Sequence, residues 1–438
     1  MLFSPFLVFS VALVMIFYSP SLIGDEDKYL NYAKNIIHGY YSPPAPNIYL
    51  AVGPGYPLVI VPFVALKVPL IYVSFLNAIF YYLSIILVYK TLRYVVTPKL
   101  TLIVSLFWAF YYNSYENLQF VSSELISTFL VSALIYFLVK SNTPAKNYKN
   151  KYIYIAGFVF GYLAMTKVIF GYVLLFMLAG NGIIWLFYRN SVNYRKGLMV
   201  LIVAFITTIP FLTYTYILSG KVFYWGSDGG NNIYWMSTPF EKEYGSWFEA
   251  PKQEKDLMVK MGSYYQFRRE EHYKMTIDGE NIPGADEYIW YNHHRNFAEI
   301  NKFTGVEQDS KFKQIAFNNI KAHPLKFIEN CFCNFGRILF NFPYTYKQQT
   351  PRTLLRIPLN GIIFTLLIFT LIPTIINWKK IIFPIRFSIF IFFLYIGGSI
   401  FGSAEIRMFT VTVPLLLIWI SFVLQKTLKI RLRFEGNK

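Results

Sequence analysis

Long apolar runs alternate with short polar connections along most of the chain. A helix that crosses a bilayer needs about 20 mostly apolar residues, and about ten stretches approach or exceed that length. They are residues 2–23, 71–92, 100–112 with flanks, 121–139, 152–188, 198–218, 354–376, 383–401 and 409–424. The run 152–188 is too long for one crossing and divides near Lys167 into two. The pattern predicts an all-α polytopic membrane protein. The first run lacks a basic flank and an A-x-A-like cleavage site, so it reads as a retained span. After it, Leu30, Ala33, Ile36 and Ile37 recur at helical spacing. They predict a helix lying along the membrane surface and stopping at Gly39. One long polar interval, 219–352, breaks the series and is too long for an idle connector. Within it, Phe312, Ile315, Ala316, Asn319 and Ile320 share one side of a predicted helix.

Composition sharpens this picture. The 438 residues are 55% hydrophobic, 20% aromatic and only 15% charged. A soluble domain carries about 25% charged residues. A disordered or collagen-like chain is excluded, and a soluble enzyme is disfavoured. Cys331 and Cys333 are too few and too close for a disulfide framework, and they lack the further ligands of a zinc site.

The net charge of +18 is unevenly spread. Residues 219–352 carry 17 Lys/Arg against 16 Asp/Glu, so nearly all of the excess flanks the apolar runs. Most of those basic residues fall in alternate connections, among them Lys90, Arg93, Lys99, Lys140, Lys146, Arg189, Lys196, Lys379 and Lys380. That is the positive-inside pattern. It predicts cytoplasmic termini and an extracytoplasmic 219–352 in a cell (plasma or inner) membrane. The basic C-terminal run from Lys426 to Lys438 can also meet acidic head groups, but orientation already accounts for it.

The acids of the membrane part map to the other face: Asp25, Glu26, Asp27, Glu116, Glu124 and Glu405. The positive-inside effect does not place acids, so the clustering asks for its own reason. Each has a plain explanation. Asp25, Glu26 and Asp27 can be a solvated flank, and Glu124 can serve the N-terminal dipole of its helix. Lys167 can snorkel to the interface. The alternative is a shared site, because ionisable groups in spans usually line a cavity or pair. There a carboxylate can take a proton from a hydroxyl, while Lys167 and Arg407 hold a phosphate. His293 and His294 are adjacent and point apart on a helix, so they make a poor metal pair. Asp25-Glu26-Asp27 could hold a divalent ion only with further converging oxygens. Trp225, Trp235, Trp247 and Trp290 suit sugar stacking or interface anchoring equally.

Several short segments also carry a resemblance. They are Asp25-Glu26-Asp27-Lys28-Tyr29, Gly53-Pro54-Gly55-Tyr56-Pro57-Leu58, Ser123-Glu124-Leu125, Gly161-Tyr162-Leu163-Ala164-Met165-Thr166-Lys167, and Arg407 with Pro414. Gly229-Gly230-Asn231-Asn232-Ile233-Tyr234 and the stretch from Phe312 to His323-Pro324 add to them. In this order they resemble the GT-C superfamily of integral-membrane glycosyltransferases. The chain is similar to the dolichyl-phosphate-mannose protein mannosyltransferases and the bacterial aminoarabinose-lipid A transferase.

The resemblance implies a transmembrane module over 1–218 with a first external loop over 24–57. It implies a segment over 219–352 that caps the active site, then C-terminal helices and a basic tail over 353–438. It implies an inverting transfer of sugar from a polyprenyl-phosphate donor to a hydroxyl of an envelope glycan, lipid or protein. No cofactor is required and no nucleic acid takes part. Asp25 would be the base, with Glu26 as the second acid of the pair. Lys167 and Arg407 would bind the donor phosphate. Glu124, Asp27, Tyr56 and Glu405 would position the acceptor. The chain departs from the family in having a single Pro before Gly55, and Ala51-Val52 where the bacterial enzymes carry a Lys. A flippase for a lipid-linked sugar and a glycan ligase remain as other readings.

Overall fold

The computed structural model describes residues 2–22, 24–142, 149–187, 192–248, 284–349 and 351–427. They form helices and their connections. Lys146, Arg189 and the tail beyond 427 lie outside the described residues.

The first half contains α1 (Ser4–Phe17), α2 (Glu26–Ile37), α3 (Gly55–Ala65), α4 (Ile71–Val95), α5 (Pro98–Ala109), α6 (Tyr112–Tyr115), α7 (Glu124–Asn142), α8 (Lys149–Thr166), α9 (Ile169–Phe187) and α10 (Val192–Ser219). The polar interval contributes α11 (Gly229–Met236), α12 (Ala285–Ile300), α13 (Gly305–Ala322) and α14 (Pro324–Phe340). The chain continues with α15 (Pro351–Leu354), α16 (Ile357–Ile376), α17 (Phe383–Ile400) and α18 (Ile406–Thr427).

This is a polytopic helical membrane protein. Among the described residues six helices are long and apolar enough to cross a membrane: α4, α7, α10, α16, α17 and α18. α1 falls short of the predicted run because Pro20 disfavours helix at Ser19. Its 14 residues rise only about 21 Å, against a hydrocarbon core of about 30 Å.

α7 is the hub of the bundle, with α4, α8, α17 and α18 packed on it. Its interior face carries Ser127, Thr128 and Ser132, all buried. Thr128 and Ser132 donate to the carbonyls four residues back, each at 2.8 Å, so these hydroxyls need no outside partner. Small side chains let the neighbouring backbones approach.

The α8–α10 contact depends on the same principle through Gly157 and Gly161. A Cβ at Gly161 would lie 2.5 Å from the Ala204 carbonyl oxygen, and one at Gly157 2.6 Å from Val203 Cβ. Gly161→Leu is expected to lower the detergent-solubilised Tm by several degrees, since overpacking costs about 1–3 kcal/mol. A differential scanning fluorimetry trace matching wild type would refute this account of the contact.

α2 stops where Gly39 adopts φ +86°, as the sequence predicts. Its buried face is rotated from the predicted one. Tyr29, Leu30, Tyr32 and Ala33 are buried, whereas Ile37 is exposed. The tyrosines take the interior because their hydroxyls find partners there. Tyr32 donates to the Tyr49 carbonyl at 2.9 Å.

α11, α12 and α13 build a second small core around Tyr234, Trp235, Ile289, Phe297, Phe312 and Ala316. Asp309 of α13 pins it to the start of α11 by accepting from the Gly230 N–H at 2.6 Å. A Cβ at Gly230 would lie 2.3 Å from the Asp309 carbonyl oxygen, which explains the glycine there.

Candidate functional site

Chain reversals bring one end of α2, α7, α8, α11 and α18 together. The loop before α3 sets the depth of α8. A Cβ at Gly53 would lie 2.0 Å from the Met165 carbonyl oxygen, and one at Gly55 2.3 Å from Thr166 Oγ1. Tyr162 donates to the Gly55 carbonyl at 2.7 Å. The glycines of this turn therefore let it seat directly on Met165-Thr166, and the next residue is Lys167. From sequence alone the turn carries no chemistry, yet it positions a cation.

Lys167 Nζ reaches Glu124 Oε1 at 3.0 Å. Both are well covered, with side chains 13% and 4% exposed. Arg407, in the first turn of α18, faces three carboxylates. Its Nη2 donates to Asp25 Oδ2 at 3.0 Å, its Nε lies 2.8 Å from Glu405 Oε2, and the same Nε is 3.7 Å from Glu124 Oε1. Lys28 bridges Asp25 Oδ1 at 3.0 Å and Asp228 Oδ2 at 3.5 Å. A continuous chain of charge thus runs from Asp228 through Lys28, Asp25, Arg407 and Glu124 to Lys167. Asp25 and Arg407 keep about a third of their side chains exposed (32% and 35%), so both stay reachable.

The electrostatics follow from this pairing. Burial alone would raise the pKa of Asp25, but Arg407 and Lys28 overcome it and hold the carboxyl well below the usual range. Burial would discharge Lys28, but Asp25 and Asp228 keep its pKa above the ordinary lysine value. Asp228 goes the other way. Its burial raises the pKa, and Lys28 only partly opposes that. Tyr49 is pushed up to about 12, chiefly by burial.

Of the residues singled out in the sequence, Asp25, Glu124, Lys167, Glu405 and Arg407 meet in this cluster. Glu26 is buried, and its Oε1 accepts from the Val121 N–H at 2.5 Å. It clamps α2 to the turn that delivers Glu124. Successive helical residues diverge by about 100°, so Glu26 and the half-buried Asp27 do not share the direction of Asp25. Tyr56 is buried with its ring edge-on to Tyr29 at 5.0 Å. Tyr29 in turn hydrogen-bonds the Ser123 hydroxyl at 2.9 Å.

Two members escape a sequence reading. Lys28 had a signal, the i, i+3 spacing from Asp25. Asp228 had none beyond its place beside Gly229-Gly230.

His293 and His294 do separate on α12. His293 is buried between Tyr234 and Glu243, at 2.7 and 2.9 Å. His294 is half-buried and stacks on Trp290. Among the described residues no group of three or more His, Cys, Asp or Glu could hold a metal ion.

The Glu124–Lys167 pair has a direct test. Removing one partner of a buried pair leaves the other charge uncompensated, at about 3–5 kcal/mol. Glu124→Ala is expected to lower the Tm by several degrees, with Glu124→Gln intermediate. An unchanged Tm in both would show that solvent already screens the pair.

No family model matches the chain, and no curated protein matches it. Among solved structures its backbone is similar to the Archaeoglobus fulgidus oligosaccharyltransferase tethered with an acceptor peptide. That likeness has a TM-score of 0.46 at 14% identity, over 96% of this chain and 49% of that one. It is also similar to ArnT from Cupriavidus metallidurans bound to undecaprenyl phosphate. There the TM-score is 0.41 at 13% identity, over 93% of this chain and 77% of that one. A third is the archaeal AglB of Archaeoglobus fulgidus in complex with an inhibitory peptide and a dolichol-phosphate, with a TM-score of 0.44 at 13% identity, over 96% and 50%. The chain spans about half the length of the archaeal proteins it matches.

Proposed function

We propose that this chain is an inverting glycosyltransferase that moves a sugar from a polyprenyl-phosphate donor to a hydroxyl acceptor. One observation carries the reading. Arg407 lies between Asp25 and Glu124 at one end of the bundle and remains about one-third exposed. A base and a phosphate-binding cation thus stand side by side where a lipid-borne phosphate can arrive. The motif resemblance, in its order along the chain, supports the same chemistry.

In the proposed step Arg407 and Lys167 hold the donor phosphate, Lys167 kept in place by Glu124. Asp25 takes the proton of the acceptor hydroxyl as its oxygen attacks the anomeric carbon. The bond from that carbon to the phosphate breaks, and the two cations stabilise the departing charge. Tethered cations supply the positive charge, so the proposal includes no metal or other cofactor. Resting Asp25 is a weak base because Arg407 and Lys28 stabilise its charge. A phosphate that draws Arg407 removes one of those partners and strengthens the base when the donor is bound.

The proposal places the site on the extracytoplasmic face of a cell membrane, with cytoplasmic termini. Described basic residues at the other end of the bundle support that orientation. Lys196 there donates to the Ser141 carbonyl, and the loop before α5 is tied to α18 by Gln425.

The test is mass spectrometry of polyprenyl lipids incubated with the purified protein and envelope extract. Release of polyprenyl monophosphate with a covalent glycosylated product supports the reading. Movement of intact lipid across vesicles without a covalent product would replace it with a flippase. Release of a diphosphate lipid would replace it with a glycan ligase.

A further inference from the structure

One helix of the polar interval is built inside out. α14 has 17 residues and is not among the six spans. Its polar stripe faces the protein, with Asn330, Asn334 and Arg337 fully buried. Asn330 donates to the Met236 and Thr238 carbonyls, each at 3.0 Å. Arg337 donates to the Tyr244 and Pro343 carbonyls at 2.6 and 3.0 Å. Its apolar stripe faces outward. Leu325, Ile328 and Phe332 are 80%, 50% and 72% exposed. Their offsets of i, i+3 and i+7 put them on one side of the helix. A helix in water turns its polar side outward, so this arrangement calls for an apolar surrounding.

Three contacts spaced along α14 fix how it lies. Near its start, Phe327 stacks on Phe401, just past the end of α17, with ring centres 6.4 Å apart. At its middle, Asn334 donates to the Ser399 and Ile400 carbonyls at 3.0 and 2.9 Å and accepts from the Ala404 N–H at 3.1 Å. Near its end, the Leu339 carbonyl accepts from Asn360 in the first turn of α16. Spans α16 and α18 run parallel, since Trp419 far along α18 donates to Thr374 far along α16 at 2.9 Å. The end of α17, the loop into α18 and the start of α16 therefore share one end of the bundle, the end that holds Arg407. A helix of this length extends about 25 Å. α14 spends that length across the ends of the spans rather than along them.

The outward stripe joins the lipid side of the spans. Phe335, next in the stripe, meets Phe364 of α16 edge-on at 6.0 Å, and Phe340 does so at 6.3 Å. Around Phe364, the α16 residues Ile362, Leu366, Ile368 and Phe369 are exposed. In a crossing helix such side chains meet acyl chains. The exposed Glu329 beside the stripe is paired with Lys326 at 3.1 Å, so it meets the interface with its charge balanced.

We propose that α14 is an in-plane membrane anchor. It lies in the leaflet on the Arg407 side, with Leu325, Ile328 and Phe332 among the acyl chains of bilayer lipids. Helices of this kind sink their apolar face about 5–10 Å into the boundary between head groups and acyl chains. Here protein rather than water covers the polar face. Through Asn334 the anchor holds the 399–404 loop, and with it Glu405 and Arg407, at the level of the head groups. The inference does not depend on the transferase reading, because it concerns where the site lies and not what it does.

The test uses the full chain in phosphatidylcholine vesicles. Cys331 and Cys333 are its only cysteines, so replacing both with serine gives a background for single nitroxide labels. Labels go on Leu325→Cys, Ile328→Cys and Phe332→Cys, with Lys302→Cys, exposed between α12 and α13, as the aqueous reference. Power-saturation EPR compares collisions with oxygen, which concentrates among acyl chains, against those with a water-soluble nickel complex. On the stripe oxygen should exceed nickel at least about threefold, the reverse of the reference. The stripe depths should agree within about 4 Å, whereas a helix crossing the bilayer would separate Leu325 from Phe332 by about 10 Å. Should one stripe variant misfold, the other two still report both the sign and the depth. Nickel exceeding oxygen on the stripe would overturn the inference. So would shielding from both, which means that protein covers the face, or the depth step of a crossing helix.

Discussion

Asp25→Asn is expected to abolish the proposed sugar transfer while the protein still folds and still binds the donor lipid. The carboxamide keeps the size of the side chain but cannot accept the acceptor's proton. Loss of a general base costs about 10²–10⁴-fold in rate. The substitution also frees Arg407 from one of its carboxylates. Donor affinity is therefore expected to hold or tighten, because one competitor for the guanidinium is gone. Turnover with labelled donor, alongside a binding isotherm for polyprenyl phosphate, separates these effects. Wild-type-like turnover would remove Asp25 from the role of base.

Arg407→Ala carries the second large effect, with a different signature. It deletes the cation shared by Asp25, Glu124 and Glu405. Removal of a group that stabilises developing charge costs about 10²–10³-fold. Donor binding is expected to weaken as well, since in the proposed step the phosphate loses its partner. Arg407→Lys restores the charge but not the planar fork, so it recovers only part of the rate. Donor affinity unaffected by Arg407→Ala would place the phosphate elsewhere.

The two variants differ in pH behaviour. Asp25 has a depressed pKa in the fold, so its paired state contributes stability above the ordinary carboxylate pKa. That contribution is lost as pH falls through the lowered value. Arg407→Ala removes the stronger of the two opposing cations, so the Asp25 pKa moves back up. The Asp25 contribution should then be smaller and its loss complete at a higher pH than in wild type, as read by Tm against pH below about pH 4.

Much of the architecture was legible because membrane helices are written in uninterrupted apolar length, which needs no knowledge of neighbours. The helices occupy the predicted runs, and the division at Lys167 falls between α8 and α9. The end of α2 at Gly39 is likewise local, set by backbone sterics of one or two residues; the break before Pro20 is just as local, but the predicted apolar run 2–23 reads straight through it. The face that α2 buries was less legible. Periodicity favours Ile36 and Ile37, but Tyr29 and Tyr32 win because Ser123 and the Tyr49 carbonyl satisfy their hydroxyls. Those partners belong to distant segments.

The same division holds at the site. Residue type and predicted membrane face brought Asp25, Glu124, Lys167, Glu405 and Arg407 onto one short roster, because charge beside apolar runs is rare and conspicuous. Only the tertiary structure decided that Arg407 would stand among three of those acids, and that Glu26 would bind the Val121 amide. It also showed that Lys28 and Asp228 join the cluster, and that the Gly53–Gly55 turn packs directly on Met165 and Thr166, just before Lys167. Such outcomes depend on separations in space between residues up to 382 positions apart. Local patterns of hydrophobicity and charge carry which residues are unusual. They do not carry which of them meet.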